Sequence, residues 1–281
     1  MTTYEEIELQ IDDPVATITL NRPDKLNALT DRTMQELRHA MATAEASEQV
    51  VGIVLTGAGR GFCAGVDMGS LQDIEAAGTS AGMRQETEVE KIDPGDQEMG
   101  PDYRWGFGYL MTVRKPIIVA VNGPCAGLGF SLSMFCDMRF MSDSAMFTTS
   151  FAPRGLVAEH GMSWVLPRLI GPAKAFDLFF SSRRIEPPEA LSLGLVSRVV
   201  PAEQLMEEAQ GYIRDLGKTS SPSSLMYMKR QVYRHLNVSL GEAFIETNDL
   251  QEETVALPDF TEGIASFMER RPPNFPRITV D

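Results

Sequence analysis

The chain has 281 residues, of which 43% are hydrophobic and 23% are charged, and these values exclude a disordered protein, a collagen and a disulfide-rich miniprotein. Its 39 acidic side chains outnumber the 25 Lys and Arg side chains, so the net charge is −14. Such a chain repels nucleic acid and anionic lipid, and we expect neither nucleic acid nor a membrane as a partner.

The first predicted elements are a hairpin, a helix and a buried strand. Residues 6–11 and 15–20 alternate between apolar and polar side chains around an Asp-Pro turn, which predicts a β-hairpin. Helical spacing of apolar residues predicts an amphipathic helix over 31–47, with Thr30 as its N-cap. The apolar run 51–55 predicts a buried strand, and a glycine-rich loop follows it.

A second unit of strand, glycine loop and helix follows downstream. Residues 117–121 form another apolar run, and the loop after it leads into a helical stretch over about 126–136. The repeated unit predicts an α/β fold built from crossover connections. The acidic segment 76–105, which separates the two units, is interpreted as a mobile or partly ordered insertion.

Aromatic residues cluster at the end of the insertion: Tyr103, Trp105, Phe107 and Tyr109. Either they anchor the next helix to the core, or they form a lid over an apolar ligand. The rest of the chain is largely helical, with predicted helices over 160–169, 172–181, 187–193, 202–217, 222–236, 239–252 and 258–270, and a short strand over 196–200. We therefore expect an α/β core over 1–200 and a helical C-terminal region over 201–281, packed as one unit.

The cysteines and the first ten residues are used to predict the cellular location of the protein. Cys63, Cys125 and Cys136 are odd in number and form no CxxC pair, which predicts reduced thiols in a cytosolic protein. Residues 1–10 carry acids where a signal peptide carries basic and then apolar residues, and no run approaches roughly 18 apolar residues. We expect no secretion signal, no membrane span and a cytoplasmic location.

Several familiar motifs are absent. The first glycine loop has Phe62 where a dinucleotide fingerprint requires its third glycine, and the second loop has Leu132 there. The three histidines, His39, His160 and His235, have no metal-ligand spacing with each other or with the cysteines. Hydride transfer, nucleotide triphosphate use and zinc catalysis are disfavoured, and we expect no metal and no separate cofactor.

Both glycine loops follow a buried strand and lead into a helix. Glycine lets the backbone approach a ligand closely, and a helix N-terminus adds partial positive charge. Two N–H donors converging from such loops would form an oxyanion hole. The alternative is that both loops are merely tight turns between a strand and a helix.

Four motifs in order carry a family resemblance: Asn21-Arg22-Pro23 with Asn27-Ala28-Leu29; Gly61-Phe62-Cys63-Ala64-Gly65-Val66-Asp67; Lys115-Pro116-Ile117-Ile118 with Ala120-Val121-Asn122-Gly123; and Ala190 with Gly194-Leu195-Val196 and Val199-Val200. The chain thereby resembles the crotonase (enoyl-CoA hydratase/isomerase) superfamily over nearly its whole length. The resemblance implies an α/β spiral of ββα units with a helical C-terminal trimerisation region. It also implies a homotrimer or a dimer of trimers.

The same resemblance implies an acyl-CoA substrate, with CoA as part of that substrate, and stabilisation of a thioester enolate. The implied oxyanion donors are the backbone N–H groups of Val66 and Leu128. The residues that shape these two turns around the substrate carbonyl are Ala64, Gly65, Asp67 and Gly127.

The acid–base positions depart from the family pattern. Family hydratases use two glutamates, and here those positions hold Ser131 and Phe151, the latter a predicted substrate contact. Neither side chain is a general base near neutral pH. A third family position, used by some isomerases and aryl-CoA dehalogenases, holds Glu159, which we predict as the proton-transfer group. Alternatively, Glu159 merely stabilises a helix N-terminus. Arg154 and His160 are close enough in sequence to orient Glu159 or replace it; the alternative for both is a place at the surface or behind the site.

CoA is polyanionic, so an acidic protein must supply a local basic site. By resemblance, Arg22 and Lys25 contact CoA from within the subunit, and Phe267 and Arg270 do so from a neighbouring one. The alternative for each basic residue is ordinary surface charge. The sequence thus predicts an enoyl-CoA hydratase/isomerase. Isomerisation suits a single carboxylate, while hydration, thioester or C–C hydrolysis, dehalogenase-like displacement and silent acyl-CoA binding stay open.

Overall fold

A computed structural model describes residues 3–78 and 92–279 of the chain. The strands are β1 (Ile7–Asp12), β2 (Val15–Leu20), β3 (Gly52–Gly57), β4 (Ile117–Val121), β5 (Pro124–Ala126), β6 (Met138–Ser142), β7 (Met146–Thr148) and β8 (Arg198–Val200). The helices are α1 (Asp31–Ala46), α2 (Met68–Ala77), α3 (Tyr109–Thr112), α4 (Leu128–Met134), α5 (Met162–Ile170), α6 (Pro172–Ser181), α7 (Pro187–Leu193), α8 (Leu205–Thr219), α9 (Pro222–His235), α10 (Leu240–Val255) and α11 (Pro258–Glu269).

A six-stranded sheet forms the centre of the molecule, in the order β1-β2-β3-β4-β6-β8. Strands β1 and β2 pair antiparallel as the predicted hairpin, and every later neighbour pairs parallel. Strands β3 and β4 are buried along their whole length, as their continuous apolar runs predict. Strands β5 and β7 form a second, two-stranded parallel sheet. The predicted α/β class with crossover units is therefore confirmed.

Two asparagines fix the glycine-rich loop after β3 from opposite sides. The buried Asn27 donates from its amide to the carbonyls of Ala58 and Gly61, at 2.9 and 2.8 Å. Asn122, at the end of β4, donates to the carbonyls of Gly57 and Gly59, at 2.8 and 3.0 Å. Loop carbonyls that would otherwise lack partners are thereby satisfied, and the loop is held beside the turn after β4.

The acidic insertion differs in part from its prediction. Its first residues complete α2, which the sequence analysis did not anticipate, and residues 79–91 lie outside the described part. The remainder returns to the core through two short 3₁₀ turns, Gln97–Met99 and Pro101–Arg104. Of the aromatic residues that follow, Trp105 is 78% exposed, whereas the other three are buried: Tyr103, Phe107 and Tyr109. Those three act as anchors in the described structure.

The helical C-terminal region begins slightly later than predicted, because residues 202–204 form a 3₁₀ turn ahead of α8. Helix α8 packs on β2, β3, β4 and β6 and buries Leu205, Ala209 and Ile213 against them. Its apolar residues therefore belong to the core that covers the sheet. Helices α9 to α11 extend beyond it. Within the described ranges, no helix combines the length and apolar character needed to cross a membrane.

Candidate active site

A cavity of about 300 Å³ lies where the two glycine loops meet. Its walls come from the loop before α1, both glycine turns, the start of α2 and the segment between β7 and α5. The lining residues are Lys25, Ala28, Ala64, Gly65, Val66, Asp67, Met68, Gly69, Leu71, Gly127, Leu128, Ser150, Phe151, Arg154, Leu156, Glu159 and His160. Nine of the twelve predicted catalytic and substrate-contacting residues are among them, together with the alternative residues Arg154 and His160.

The backbone amides of Val66 and Leu128 line this cavity, and neither has an acceptor in the described part of the chain. The amide that follows Val66 and the amide that precedes Leu128 are both used internally. Asp67 N–H donates to the Leu29 carbonyl at 3.0 Å, and Gly127 N–H donates to the Thr148 carbonyl at 3.1 Å. Leu128 is the first residue of α4, where a helix leaves its N–H groups without intrahelical partners. Both amides are thus available to a ligand in the cavity.

The two turns approach each other through glycine. Gly65 has a φ of +110° and Gly127 a φ of +51°, which favour glycine. A Cβ on Gly65 would lie 3.2 Å from the Ala126 carbonyl oxygen and 3.6 Å from the Leu128 nitrogen. The glycines therefore allow the contact that brings the two unpartnered amides into one cavity.

Asp67 caps α2 and forms an ion pair that organises the first turn. Its carboxylate accepts from the Gly69 amide at 2.9 Å and lies 3.0 Å from the Arg22 guanidinium. Partial burial raises the pKa of Asp67, but these hydrogen bonds outweigh it and leave the pKa below its usual value. Arg22 also contacts Glu6 at 3.3 Å and the Ala28 carbonyl. It lies outside the cavity lining, and its guanidinium connects the residue before β1, the loop before α1 and the N-cap of α2.

Glu159 lines the cavity in the turn that precedes α5. Its carboxylate has no hydrogen bond or ion pair with any described residue, so it is available for proton transfer. The side chain is not within the helix, which begins at Met162. Ser131, at the usual position of a family glutamate, is fully buried, and its hydroxyl lies 3.3 Å from the Gly127 carbonyl. Phe151 is only 4% exposed and forms an apolar wall of the cavity.

His160 and Arg154 line the cavity beside Glu159. The cavity wall partly desolvates His160 and lowers the pKa of its imidazole, although Glu159 acts in the opposite direction and the residue remains exposed. His160 adopts a φ of +54°, a conformation that His tolerates better than most residues. The sequence predicts no definite role for His160, since a lone histidine after a glutamate has no distinguishing spacing.

The predicted CoA contacts divide into two groups. Lys25 lines the cavity and is exposed, with its ammonium unpaired among the described residues. Phe267 and Arg270 lie at the end of α11, outside the lining, and Phe267 is 82% exposed. Their predicted role requires a neighbouring subunit. No group of three or more His, Cys, Asp or Glu side chains within the described ranges is placed to hold a metal ion.

Comparisons with known proteins agree with this geometry. The family model for enoyl-CoA hydratase/isomerase matches residues 10–277. The chain is 34% identical over 273 residues to a protein of Mycobacterium tuberculosis named probable enoyl-CoA hydratase, covering 97% of this chain and 98% of that one. It is 33% identical to one of Rhizobium meliloti with the same name, over the same shares of each chain.

Solved structures give the same result. An enoyl-CoA hydratase of Bacillus anthracis superposes with a TM-score of 0.82 at 27% identity, covering 97% of this chain and 99% of that one. An enoyl-CoA hydratase/isomerase of Mycobacterium paratuberculosis superposes with a TM-score of 0.79 at 30% identity, covering 98% and 99%. A crotonase-type fold is thus established. The chain belongs to the enoyl-CoA hydratase/isomerase family, and the predicted resemblance is confirmed.

Proposed function

We propose that this protein is an enoyl-CoA hydratase/isomerase-type enzyme that acts on an acyl-CoA thioester through an enolate. The observation that carries the proposal is the pair of unpartnered amides of Val66 and Leu128 in one cavity. When a thioester carbonyl is placed between them, both donate to its oxygen as negative charge develops there. One such donor is worth about 10²–10³ in rate.

Glu159 is the proton-transfer group in this proposal. In double-bond isomerisation, its carboxylate removes a proton from C2 of a 3-enoyl thioester, and the electron pair moves to the carbonyl oxygen held by the two amides. The same carboxyl then returns the proton to C4, the double bond re-forms between C2 and C3, and the enzyme regains its initial state. One carboxylate suffices for this sequence, which fits a cavity without the two usual glutamates.

The CoA moiety carries phosphates, and Lys25 supports binding because it presents an unpaired ammonium beside the cavity. We further propose a homotrimer or a dimer of trimers, in which Phe267 and Arg270 approach the CoA of a neighbouring subunit. Support for the assembly comes from the exposed apolar residues of α10 and α11.

The test is a purified-enzyme assay with crotonyl-CoA and a 3-enoyl-CoA. Loss of the conjugated absorbance of crotonyl-CoA reports hydration, its appearance from the 3-enoyl-CoA reports isomerisation, and free thiol reports hydrolysis. Glu159→Gln should lower kcat by at least about 10²-fold while CoA-ester binding persists. The matched control is Glu203→Gln, at an exposed residue of the turn before α8. Wild-type rates in Glu159→Gln would remove this residue from the mechanism.

A second candidate function is a catalytically silent acyl-CoA-binding protein. Ser131 and Phe151 at the usual glutamate positions favour it, because neither side chain transfers protons near neutral pH. Calorimetry distinguishes the two functions. Micromolar binding of acyl-CoA esters with no turnover or exchange of α-protons in D₂O, across the substrate panel, would establish the silent protein.

A further inference from the structure

A second cavity of about 320 Å³ adjoins the candidate active site. It lies between the segment that follows β7 and helices α5 and α6. We call it the tail chamber and define it by Val157, Ser163, Pro167, Phe176, Phe179 and Phe180. Two further residues, Phe151 and Leu156, line both the tail chamber and the active-site cavity.

The tail chamber differs chemically from the active-site cavity. Lysine, aspartate, arginine and glutamate side chains line the first cavity. Among the residues that line the tail chamber, Ser163 alone has a polar side chain, and four of the others are phenylalanines. Such a surface gains free energy by excluding water and has no group that would recognise a charge. Its complement is a hydrocarbon or aryl group.

Phe151 forms the partition between the two cavities. Its ring packs against Phe179, with the ring centroids 6.3 Å apart and the planes inclined at 44°. The residue is 4% exposed and thus fixed by its surroundings. Leu156 completes the partition from the exposed segment before Glu159. A group attached to a thioester in the first cavity therefore meets these two side chains before the tail chamber.

We propose that the tail chamber binds the apolar end of the acyl group, and that Phe151 determines which acyl groups reach it. The substrate class is then a CoA thioester with an extended alkyl or aryl acyl group, rather than a short or polar one. This inference rests on the proposed function. Phe151 and Leu156 line both cavities and so place the tail chamber directly beside the proposed thioester site, which supports an acyl group as the occupant.

The competing occupant is a second copy of this chain. Phe176 and Phe180 on α6 are exposed and stack on each other with centroids 5.4 Å apart, so part of the chamber wall faces solvent. A subunit seated there would exclude an acyl chain. The experiment therefore includes a measurement of assembly.

The experiment measures kcat/KM and Kd for straight-chain 2-enoyl-CoA esters from four to sixteen carbons, and for cinnamoyl-CoA. Each methylene group that enters the chamber should tighten Kd by about fourfold until the chamber is filled. The four-carbon ester reports on the active-site cavity alone. If no ester binds, including this shortest one, the proposed function fails; if binding is present but independent of length, only the tail chamber is refuted.

Ser163→Trp tests the chamber directly. Ser163 is exposed at the start of α5, so an indole there can fill the chamber without disturbing the core. The ratio of long-chain to short-chain kcat/KM should fall at least tenfold. The matched control is Ser197→Trp, an exposed serine beyond α7 that lines neither cavity, and the ratio should be retained in it.

Phe151→Ala tests the partition. Removing the ring joins the two cavities, and we expect the preference to shift by about tenfold towards longer or branched acyl groups. An unchanged length profile in both Ser163→Trp and Phe151→Ala would overturn the proposal. So would a Ser163→Trp variant that loses assembly mass in sedimentation velocity while its length profile stays wild type, because the chamber would then be a subunit contact.

Discussion

At the scale of single residues, the chemistry that we propose for this site depends on main-chain amides, and the side chains of the residues that carry them matter little. Val66 and Leu128 contribute amides, so their identities carry little information about the reaction. The informative residues are the glycines beside them, Gly65 and Gly127, because their positive φ values set the direction of those amides. The sequence therefore indicated the positions of the proposed donors through the glycines beside them and not through Val66 and Leu128 themselves.

Gly65→Ala tests this dependence on backbone geometry. An alanine there adopts an unfavourable φ and meets the Ala126 carbonyl oxygen at 3.2 Å, so the turn must shift. We expect a loss of about 1–3 kcal/mol in unfolding free energy and a fall of about 10²-fold in kcat/KM. The control is Gly194→Ala, which has a φ of +82° but no neighbour within 4 Å of the added Cβ. The Gly194→Ala variant should lose a similar amount of unfolding free energy but keep its kcat/KM. Equal losses of kcat/KM in the two variants would show that the effect of Gly65→Ala is not specific to the site.

The polar residues of the site were harder to assign from the sequence. Glu159 and Lys25 lie in the cavity as expected from the motifs, but Arg22 is engaged by Glu6 and Asp67. An arginine in a loop motif looks the same whether it faces a ligand or an internal carboxylate. Only the tertiary structure, which places Glu6 and Asp67 beside this arginine, distinguishes the two.

At the scale of elements, the first glycine loop is held by side chains from two different parts of the chain. Asn27 precedes α1 and Asn122 follows β4, yet both donate to carbonyls of the same loop. The loop is therefore positioned by the sheet and by the segment before α1 at once. This double attachment keeps the Val66 turn in register with the Leu128 turn.

Asn122→Ala removes one of these attachments. The Gly57 and Gly59 carbonyls lose donors at 2.8 and 3.0 Å, and the Gly57 amide loses an acceptor at 3.3 Å. We expect a loss of about 1–3 kcal/mol by urea denaturation, together with reduced kcat/KM. Asn21→Ala is the control, because its exposed hydrogen bond to Glu8 should be worth less than about 1 kcal/mol. Equal losses in the two variants would contradict a specific attachment of the loop.

Lys115 connects the end of α1 to the start of β4 and gives a prediction for pH. Its ammonium donates to the carbonyls of Ala44 and Ser47, at 3.2 and 2.6 Å, and the residue is 1% exposed. Burial lowers the pKa of Lys115 to about 8. Between pH 8 and the ordinary lysine pKa, the unfolded chain therefore binds more protons at Lys115 than the folded chain does. Because of this difference, the contribution of Lys115 to the free energy of unfolding increases as the pH rises through that window.

Lys115→Met should remove that increase. Between pH 8 and 9.5, the unfolding free energy of the wild type should rise by about 1 kcal/mol relative to the variant. Buried tyrosines titrate alike in both proteins and cancel from the comparison. The control is Lys174→Met, at an exposed lysine on α6, whose pH dependence should match the wild type. Parallel pH curves for wild type and Lys115→Met would refute the prediction.

Whether a strand could be predicted from the sequence depended on its length and on what surrounds it in the fold. Strands β3 and β4 were predicted because buried parallel strands are continuous apolar runs. Strands β5 and β7 have three residues each and leave no periodic pattern to detect. Strand β6 carries Arg139, which is buried by donating to the carbonyls of Ser133, Cys136 and Leu195. An arginine interrupts the apolar pattern that predicts a buried strand, and the sequence alone does not show the carbonyl groups that allow it to be buried.

At the scale of the whole molecule, the distribution of apolar surface separates the core from the C-terminal helices. Helix α8 buries its apolar residues on the sheet. Helices α10 and α11 instead expose many of theirs: Leu240, Phe244, Ile245, Phe260, Ile264, Phe267 and Met268. Exposed apolar surface of this extent is typical of a protein contact. The sequence predicted helices there, but only the folded chain shows that their apolar residues remain uncovered within one subunit.

Substituting this surface tests the proposed assembly. The double variant Phe244→Glu with Ile245→Glu places two carboxylates on α10, and burying them in a contact between subunits would be strongly unfavourable. Sedimentation velocity should give a multiple of the 31.0 kDa chain mass for the wild type and a smaller mass for the variant. Trp105→Glu, at an even more exposed aromatic residue outside the C-terminal region, should retain the wild-type mass. A wild type that sediments as a single chain at micromolar concentration would refute the assembly, and with it the role of Phe267 and Arg270 in a neighbouring site.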